Sequence, residues 1–382
     1  MSAIDRVFES HAARLLARAC VSLNGSDESQ LSVHVHRSRV FWRFFFGGTL
    51  GLGKSYVDGD WDCDDLAKLF YHLVWVGADR GSGGVPRLMT NLAWLFQNAQ
   101  NMSRAIHVAR KHYDLGNDLY EAMLDPSMAY TCGYYGRGAQ TLEQAQTAKF
   151  RLVCEKIGLK RGQRVLDIGC GWGSFAAYAA REYGATVVGI ANSVEQLALG
   201  RERCGDLPVT LINMDYRDGP ERLGAHSFDH IVSIGMFEAV GPKNFRTYMR
   251  IAETMLKPGG LFLLHTIGMR NGGYDPWIER YIFPNGYLPC MEEIDRAVRD
   301  VFIVEDVHNF GADYDRTLCA WYENFEAAWP ELAATGKYDE RFHRMWRYYL
   351  LQCAGTFRAR STQLWQIVLS PKGVPGGYRS VR

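Results

Sequence analysis

The residues with the clearest chemical content lie in Val165-Leu166-Asp167-Ile168-Gly169-Cys170-Gly171-Trp172-Gly173-Ser174. A carboxylate, Asp167, precedes glycines 169, 171 and 173, whose missing Cβ atoms let a ligand approach the backbone. The run Arg164 to Ile168 reads as a strand, and Phe175-Ala-Ala-Tyr-Ala-Ala as the start of a helix. Strand, Gly-rich turn and helix together make the first unit of a nucleotide-type α/β site. The spacing is D-x-G-x-G-x-G, which is neither the G-x-G-x-x-G of dinucleotide binders nor the GK[ST] loop that cradles phosphate. A Gly-rich turn with no ligand is the alternative reading.

From Arg164 onward strand and helix patterns alternate, as in a parallel α/β sheet. Strands are expected at 164–168, 186–190, 208–212, 229–234, 260–265, 302–307 and 364–369, seven in all. Ligands of open parallel sheets bind at the carboxyl ends of the strands. Asp167 and Gly169 follow the first strand, Asn192 and Ser193 the second, and Asp215 and Tyr216 the third. Glu238 comes just after the fourth, and His265 ends the fifth. Five groups are thus expected on one edge. The segment 270–290 reads as an insertion between the fifth and sixth strands, and 313–353 as helical and rich in aromatics.

Residues 1 to about 100 read as a separate, smaller and mainly helical domain, and 101–382 as the catalytic one. Helices are expected at 6–21, 66–76 and 88–96, an edge strand at 31–35 and a loop at 81–86. The aromatic run 40–46 reads as packed core or, alternatively, as a membrane wedge. Gly51-Leu52-Gly53-Lys54-Ser55 superficially suggests a phosphate loop, but its first glycine and strand context do not fit. Arg104, His107, Arg110 and Lys111 give the connector a cationic side, either solvated or footed on anionic lipid. Thr141 to Ile157 is expected as a helix with a capping-type start.

The chain has 382 residues, a net charge of +1 and 47% hydrophobic residues, the composition of a globular protein with no call on nucleic acid. Nine scattered cysteines with no CxxC fit a reducing cytosol, and the sequence shows no zinc-ligand spacing. No signal peptide or membrane-spanning run is read, so contact with lipid is expected from the surface.

Six stretches taken together identify a family. His112–Asn117, Tyr130-Thr131-Cys132, Asp167–Gly173, Gly235–Pro242, Leu264–Gly268 and Gly311–Leu318 resemble cyclopropane-fatty-acyl-phospholipid synthases, within the mycolic acid cyclopropane synthase superfamily. Gly51–Asp64 and Ala354–Arg358 extend the match over nearly the whole chain. The resemblance implies a seven-stranded Rossmann-like S-adenosylmethionine (SAM) methyltransferase sheet. It implies methylene transfer from SAM to the cis double bond of acyl chains in membrane phospholipids. A carbocation forms on the chain, and a bound bicarbonate removes a proton so that the ring closes. Cys132, Glu238, His265 and Tyr314, with the backbone of Ile267, match the residues that hold the bicarbonate. For SAM, the matching residues are Tyr130 and Thr131 near the methionine end, Asp167, Gly169, Gly171 and Gly173 at the turn, and Asp215 and Tyr216 near the adenine. Ser193 and Gln196 match the family's Thr-x-Ser-x-x-Gln, but Ala191 departs from it, and Asn192 is the candidate to replace the lost hydroxyl. Ala239 stands where many relatives carry His.

The resemblance further implies a cytoplasmic protein on the inner face of a membrane, contacting lipid through its N-terminal domain and the 270–290 insertion, and a homodimer. Methyl transfer to lipid without ring closure and methylation of a small amine on the same scaffold are the rival readings. No metal is expected.

Overall fold

Alternation within Arg164–Ile168 shows why this strand sits at the centre of its sheet. In the computed structural model Val165 packs into one apolar cluster, with Val187, Val232, Phe150, Val153, Phe175 and Ala176. Leu166 and Ile168 pack into another, with Val188, Ile190, Phe245, Met249 and Ile294. Successive side chains of a strand point to opposite faces. Here both faces are covered by helices, and so the strand reads as a nearly continuous apolar run. Burying Leu166 completely contributes about 2 kcal/mol.

The structure describes residues 3–27, 29–77 and 116–382, with side chains from residue 6. The expected loop at 81–86, the helix at 88–96, the cationic side at 104–111 and residues 112–115 lie outside them. By their contacts the residues fall into two compact units. One comprises Met1–Asn98, Tyr274–Pro284 and Tyr314–Thr362, and the other Ala99–Gly273, Asn285–Asp313 and Gln363–Arg382. The units are discontinuous in sequence, unlike the linear division at residue 100, because packing follows apolar faces and not chain order.

The first unit contains a small sheet of β1 (Ser22–Leu23), β2 (Ser32–Val35) and β3 (Trp61–Asp62). Around it are the helices Ala3–Arg18, Arg39–Val57 and Leu66–Trp75, joined by Pro276–Tyr281, Ala312–Ala334 (from Tyr314 on) and Glu340–Arg358. The phosphate-loop-like stretch lies inside Arg39–Val57, a helix kinked at Gly48, so it forms no anion-cradling loop. Gly53 has a packing reason, since a Cβ there would sit 2.5 Å from the indole of Trp277.

The second unit is built on seven strands: β4 (Arg164–Ile168), β5 (Thr186–Ala191), β6 (Val209–Asn213), β7 (Phe228–Ile234), β8 (Leu256–Met269), β9 (Ile303–Asn309) and β10 (Thr362–Ser370). All seven expected strands are present. β8 runs longer than expected at both ends. The spatial order is β6-β5-β4-β7-β8-β10-β9, with β4 to β8 mutually parallel and β10 antiparallel to β9. The sheet is therefore mixed, a correction to the all-parallel expectation. A single crossover helix returns a chain to a parallel strand, whereas two helices, Ala312–Ala334 and Glu340–Arg358, separate β9 from β10. From β4 the chain steps outward to β5 and β6, then returns to place β7 on the other side of β4. That reversal opens a crevice at the carboxyl ends of β4 and β7.

Among the described residues no helix is long and apolar enough to cross a membrane, and no cluster of His, Cys, Asp or Glu could hold a metal ion.

Candidate functional site

The Gly-rich turn leaves the end of β4 with positive φ at Gly169 (86°), Gly171 (53°) and Gly173 (76°). A Cβ on Gly169 would lie 2.5 Å from Cβ of Met236, whereas one on Gly171 would meet open space. Gly173 caps the helix Ser174–Tyr183, whose first N–H groups face the turn. Trp172 anchors this corner. Its indole N–H donates to Asn117 Oδ1 (3.1 Å), and its ring packs on Tyr120, which packs edge-on against Tyr130.

Asp167 is 2% exposed at the end of β4. Its carboxylate makes no hydrogen bond among the described residues, and burial pushes it up to about 7 even with the Lys149 ammonium pulling it down. A buried, unpartnered acid next to an open Gly-rich turn is a chemical fit for a cationic ammonium such as that of SAM. Ser193 caps the helix Val194–Cys204 by accepting the Gln196 N–H at 3.2 Å, so the matched pair Ser193 and Gln196 is first of all a helix start. Asn192 follows β5 directly and is half-buried. The Asp215 carboxylate accepts from the Arg217 backbone N–H (3.0 Å) and from its guanidinium (2.9 Å). Tyr216 is buried against Tyr248, with the Arg217 guanidinium over its ring.

A second group forms on the neighbouring strands. Ile234 of β7 pairs with His265 of β8, and the chain then turns through Gly235 into the short 3-10 segment Phe237–Ala239. This carries Glu238 back over β8, where its Oε1 accepts the Ile267 N–H at 2.5 Å. Ile267, whose backbone the resemblance matches to the bicarbonate site, here uses this N–H to fix the carboxylate. The other oxygen, Oε2, is buried with no hydrogen-bond partner among the described residues, and burial lifts the Glu238 carboxyl to about 7 against the pull of the Ile267 N–H and the Thr266 hydroxyl. His265 is buried, with its Nδ1 3.2 Å from the Gln366 side-chain nitrogen and its Nε2 without a hydrogen-bond partner among the described residues. Burial, reinforced by Lys149 and Lys156, pushes its pKa well below the ordinary value, so the ring is neutral. With the Gln366 amide donating to Nδ1, the ring proton lies on Nε2. Glu238 thus offers an acceptor and His265 a donor, and His265 and Ile267 share one face of β8. A small oxyanion carrying one hydroxyl, such as bicarbonate, has the complementary groups.

Cys132 is fully buried, and its thiol donates to the Gly133 carbonyl (3.1 Å). Thr131 accepts from the Lys149 ammonium at 2.6 Å. Tyr314 belongs to the other compact unit, where it stacks on Phe357 with ring centroids 4.4 Å apart and meets Trp321 edge-on. Gln146, Lys149 and Gln366 were not singled out by the sequence reading. The first two carried a signal, because they fall on the apolar stripe Ala145, Phe150, Leu152, Val153 of their helix. A polar side chain on a core-facing stripe needs a partner or a purpose.

Comparison with known proteins supplies the context for this geometry. Residues 100–367 match the family model described as mycolic acid cyclopropane synthetase. The chain is 49% identical over 375 residues to the cyclopropane-fatty-acyl-phospholipid synthase of Escherichia coli K12, covering 96% of this chain and 94% of the relative. The structure of the cyclopropane synthase MmaA2 from Mycobacterium tuberculosis superposes with a TM-score of 0.64 at 29% identity, over 72% of this chain and 99% of that one. The mycolic acid cyclopropane synthase CmaA1, solved with SAH and CTAB, gives 0.63 at 28% identity over 69% and 97%. The seven-stranded sheet is thus the SAM methyltransferase fold of these synthases, and the D-x-G-x-G-x-G turn sits at the switch-point crevice, where open α/β sheets in general bind ligands. With matching sequence over nearly its whole length and matching architecture over its catalytic sheet, this chain belongs to the cyclopropane synthase family.

Proposed function

We propose that the protein transfers a methylene group from SAM to the cis double bond of unsaturated acyl chains in membrane phospholipids, forming a cyclopropane ring. The observation that carries the reading is the pair of buried atoms Glu238 Oε2, on the 3-10 segment after β7, and His265 Nε2, on β8, neither with a hydrogen-bond partner among the described residues. An acceptor and a donor kept dry side by side suit a small oxyanion that acts as general base.

SAM, when bound, would supply an electrophilic methyl group: the alkene π electrons would form the new C–C bond as the S–CH3 bond breaks, with S-adenosylhomocysteine as the leaving group and a carbocation left on the acyl chain. The turn Gly169–Gly173 and Asp167 would hold the amino-acid end of SAM, with Tyr130 and Thr131. Asn192, Ser193 and Gln196 would serve the ribose side, and Asp215 and Tyr216 the adenine. A proton must then leave the new methyl group so that its electron pair closes the ring. Bicarbonate, when bound, supplies the base for that proton. Glu238 would accept from the anion's hydroxyl and His265 Nε2–H would donate to one of its oxygens, while Cys132 and Tyr314 are assigned to the same step by their match to the family pattern. The Ile267 N–H serves by aiming Glu238. Burial of these groups excludes water, which would otherwise capture the carbocation.

A lipid surface as partner is supported by the first unit. Trp42, Phe45 and Phe46 of the Arg39–Val57 helix are 45%, 43% and 62% exposed, and Phe8 packs on the two phenylalanines. Exposed clustered aromatics of this kind suit a membrane interface. We propose that the protein works there, on the cytoplasmic face of the inner membrane, as a homodimer.

The test is mass spectrometry of fatty acids after incubating the protein with SAM and vesicles of unsaturated phospholipid, with and without bicarbonate in carbonate-depleted buffer. A gain of one CH2 with loss of the double bond and a ring proton signal, dependent on bicarbonate, is expected. A gain of one CH2 with the alkene retained would refute ring closure. Bound SAM with no modified lipid would favour a small-molecule acceptor.

A further inference from the structure

Lys149 is buried completely on the helix Leu142–Lys156. Phe150 and Val153 of this helix pack on Val165, and strand alternation puts Asp167 on the same side of the sheet as Val165. Burying an ammonium is costly, and burial lowers Lys149 to about 8 against the pull of the Asp125 and Asp167 carboxylates. Among the described residues its hydrogen bonds go not to those carboxylates but to two neutral oxygens, Thr131 Oγ1 and Gln146 Oε1, each at 2.6 Å.

The Gln146 amide is oriented by its other end. Its Nε2 donates to the Thr131 carbonyl at 2.7 Å, which leaves Oε1 to accept from Lys149. An ammonium can only donate, so the Thr131 hydroxyl must accept from it. The hydroxyl's own proton is then available to an outside acceptor, and the described residues provide none. The methyl of Thr131 is held as well. A Cβ on Gly235 would lie 2.7 Å from Thr131 Cγ2, so the side chain packs where this glycine leaves room. Gly235 is the turn that leads from β7 to Glu238. Thr131 is therefore fixed at both branches, beside the ligand-binding edge.

We propose that Lys149 is a positioning residue acting through Thr131: its ammonium commits the Thr131 hydroxyl to donate into the ligand edge, where the hydroxyl takes an anionic oxygen. This rests on the reading that the edge binds SAM and a small oxyanion. Both ligands present carboxylate-type oxygens, the amino-acid end of SAM and the bicarbonate itself. The ammonium also strengthens the donor, because a hydroxyl that accepts from a charged group is polarised.

The experiment uses the full-length protein and four variants: Lys149→Met, Thr131→Val, Thr131→Ser and the double variant K149M/T131V. SAM affinity is measured by calorimetry, and the half-saturating bicarbonate concentration by lipid turnover. Lys149→Met and Thr131→Val should weaken the same ligand by about tenfold or more, as expected for a hydrogen bond to a charged acceptor. The double variant should lose no more than the worse single one, because both act through one hydroxyl. Thr131→Ser, which keeps the hydroxyl, should recover most of the loss. The ligand that weakens identifies the anionic oxygen.

Binding of both ligands by Thr131→Val within about twofold of the parent would overturn the proposal. So would losses that multiply in the double variant. Should Lys149→Met fail to fold, the Val and Ser variants decide, since equal losses in the two would exclude the hydroxyl. A parent protein that binds no SAM would overturn the functional reading itself, and the proposal with it.

Discussion

Replacing Glu238 by Gln keeps the shape of the side chain and an oxygen for the Ile267 N–H, and removes only the ability to ionise. Burial holds this carboxyl at about 7, against an ordinary value of 4.5. The native chain therefore binds the proton more tightly than the unfolded chain does. Stability falls as pH rises wherever the native state binds the more protons. The contribution of Glu238 is thus neutral below about pH 4.5, grows unfavourable between the two values, and reaches its full cost above about pH 7. The gap corresponds to about 3 kcal/mol. Glu238→Gln should gain on the parent by up to about 3 kcal/mol between pH 5 and pH 8, whatever constant offset the new amide brings. Asp167 also titrates near 7, but alike in both proteins, so it cancels in the difference. The assay is the unfolding midpoint of variant and parent across this range, with SAM binding and lipid turnover measured at pH 7.5. A midpoint is the right readout because two compact units need not unfold as one. Turnover should be lost and SAM binding retained. A difference that does not grow with pH would refute the burial argument, and an active variant would refute the role given to Glu238.

Gly169→Ala would force a Cβ to within 2.5 Å of Met236 at a φ of 86°, so calorimetry should show SAM affinity lost and the thermal midpoint should fall by the equivalent of about 1–3 kcal/mol. Tyr314→Phe keeps the ring that stacks on Phe357, so stability and SAM binding should hold while lipid turnover drops; unchanged turnover would remove Tyr314 from the reaction. Replacing both Trp42 and Phe46 by Ser should reduce co-sedimentation with phospholipid vesicles and leave SAM affinity unchanged, since both side chains are exposed on the first unit. Equal sedimentation of variant and parent would move the lipid surface elsewhere.

Much of this protein is written locally. Most of the seven strands are legible as short, largely apolar runs ended by glycine or polar residues, β9 (Ile303–Asn309) being the polar exception at the sheet edge, and β4 is largely apolar on both faces because helices cover both. The Gly-rich turn is legible for a related reason. Positive φ at 169, 171 and 173, and the close approach of Met236, are demands on the backbone that only glycine meets cheaply. The capped starts at Thr141 and Ser193 depend on contacts three residues apart and show equally well.

Other features depend on groups far apart in the chain. The direction of β10 was decided by its partner β9, because an apolar run carries no sign of which way it will pair. The grouping of 274–284 and 314–362 with the N-terminal residues was decided by which apolar faces met, and it moved Tyr314 out of the unit that holds Cys132, Glu238 and His265. The Ile267 backbone was matched to the bicarbonate site by resemblance alone, and the bond from its N–H to Glu238, carried in on the segment after β7, depends on the tertiary fold. Lys149 shows the division most sharply. Its residue type and its place on an apolar stripe were present in the sequence, but its meaning depends on Thr131, eighteen residues earlier, and on the burial that leaves its ammonium with only neutral acceptors. Residue types and local spacing determined the elements and the chemistry available. Which buried groups were satisfied, and which were left to wait for a ligand, was decided only when distant strands and helices closed over them and excluded water.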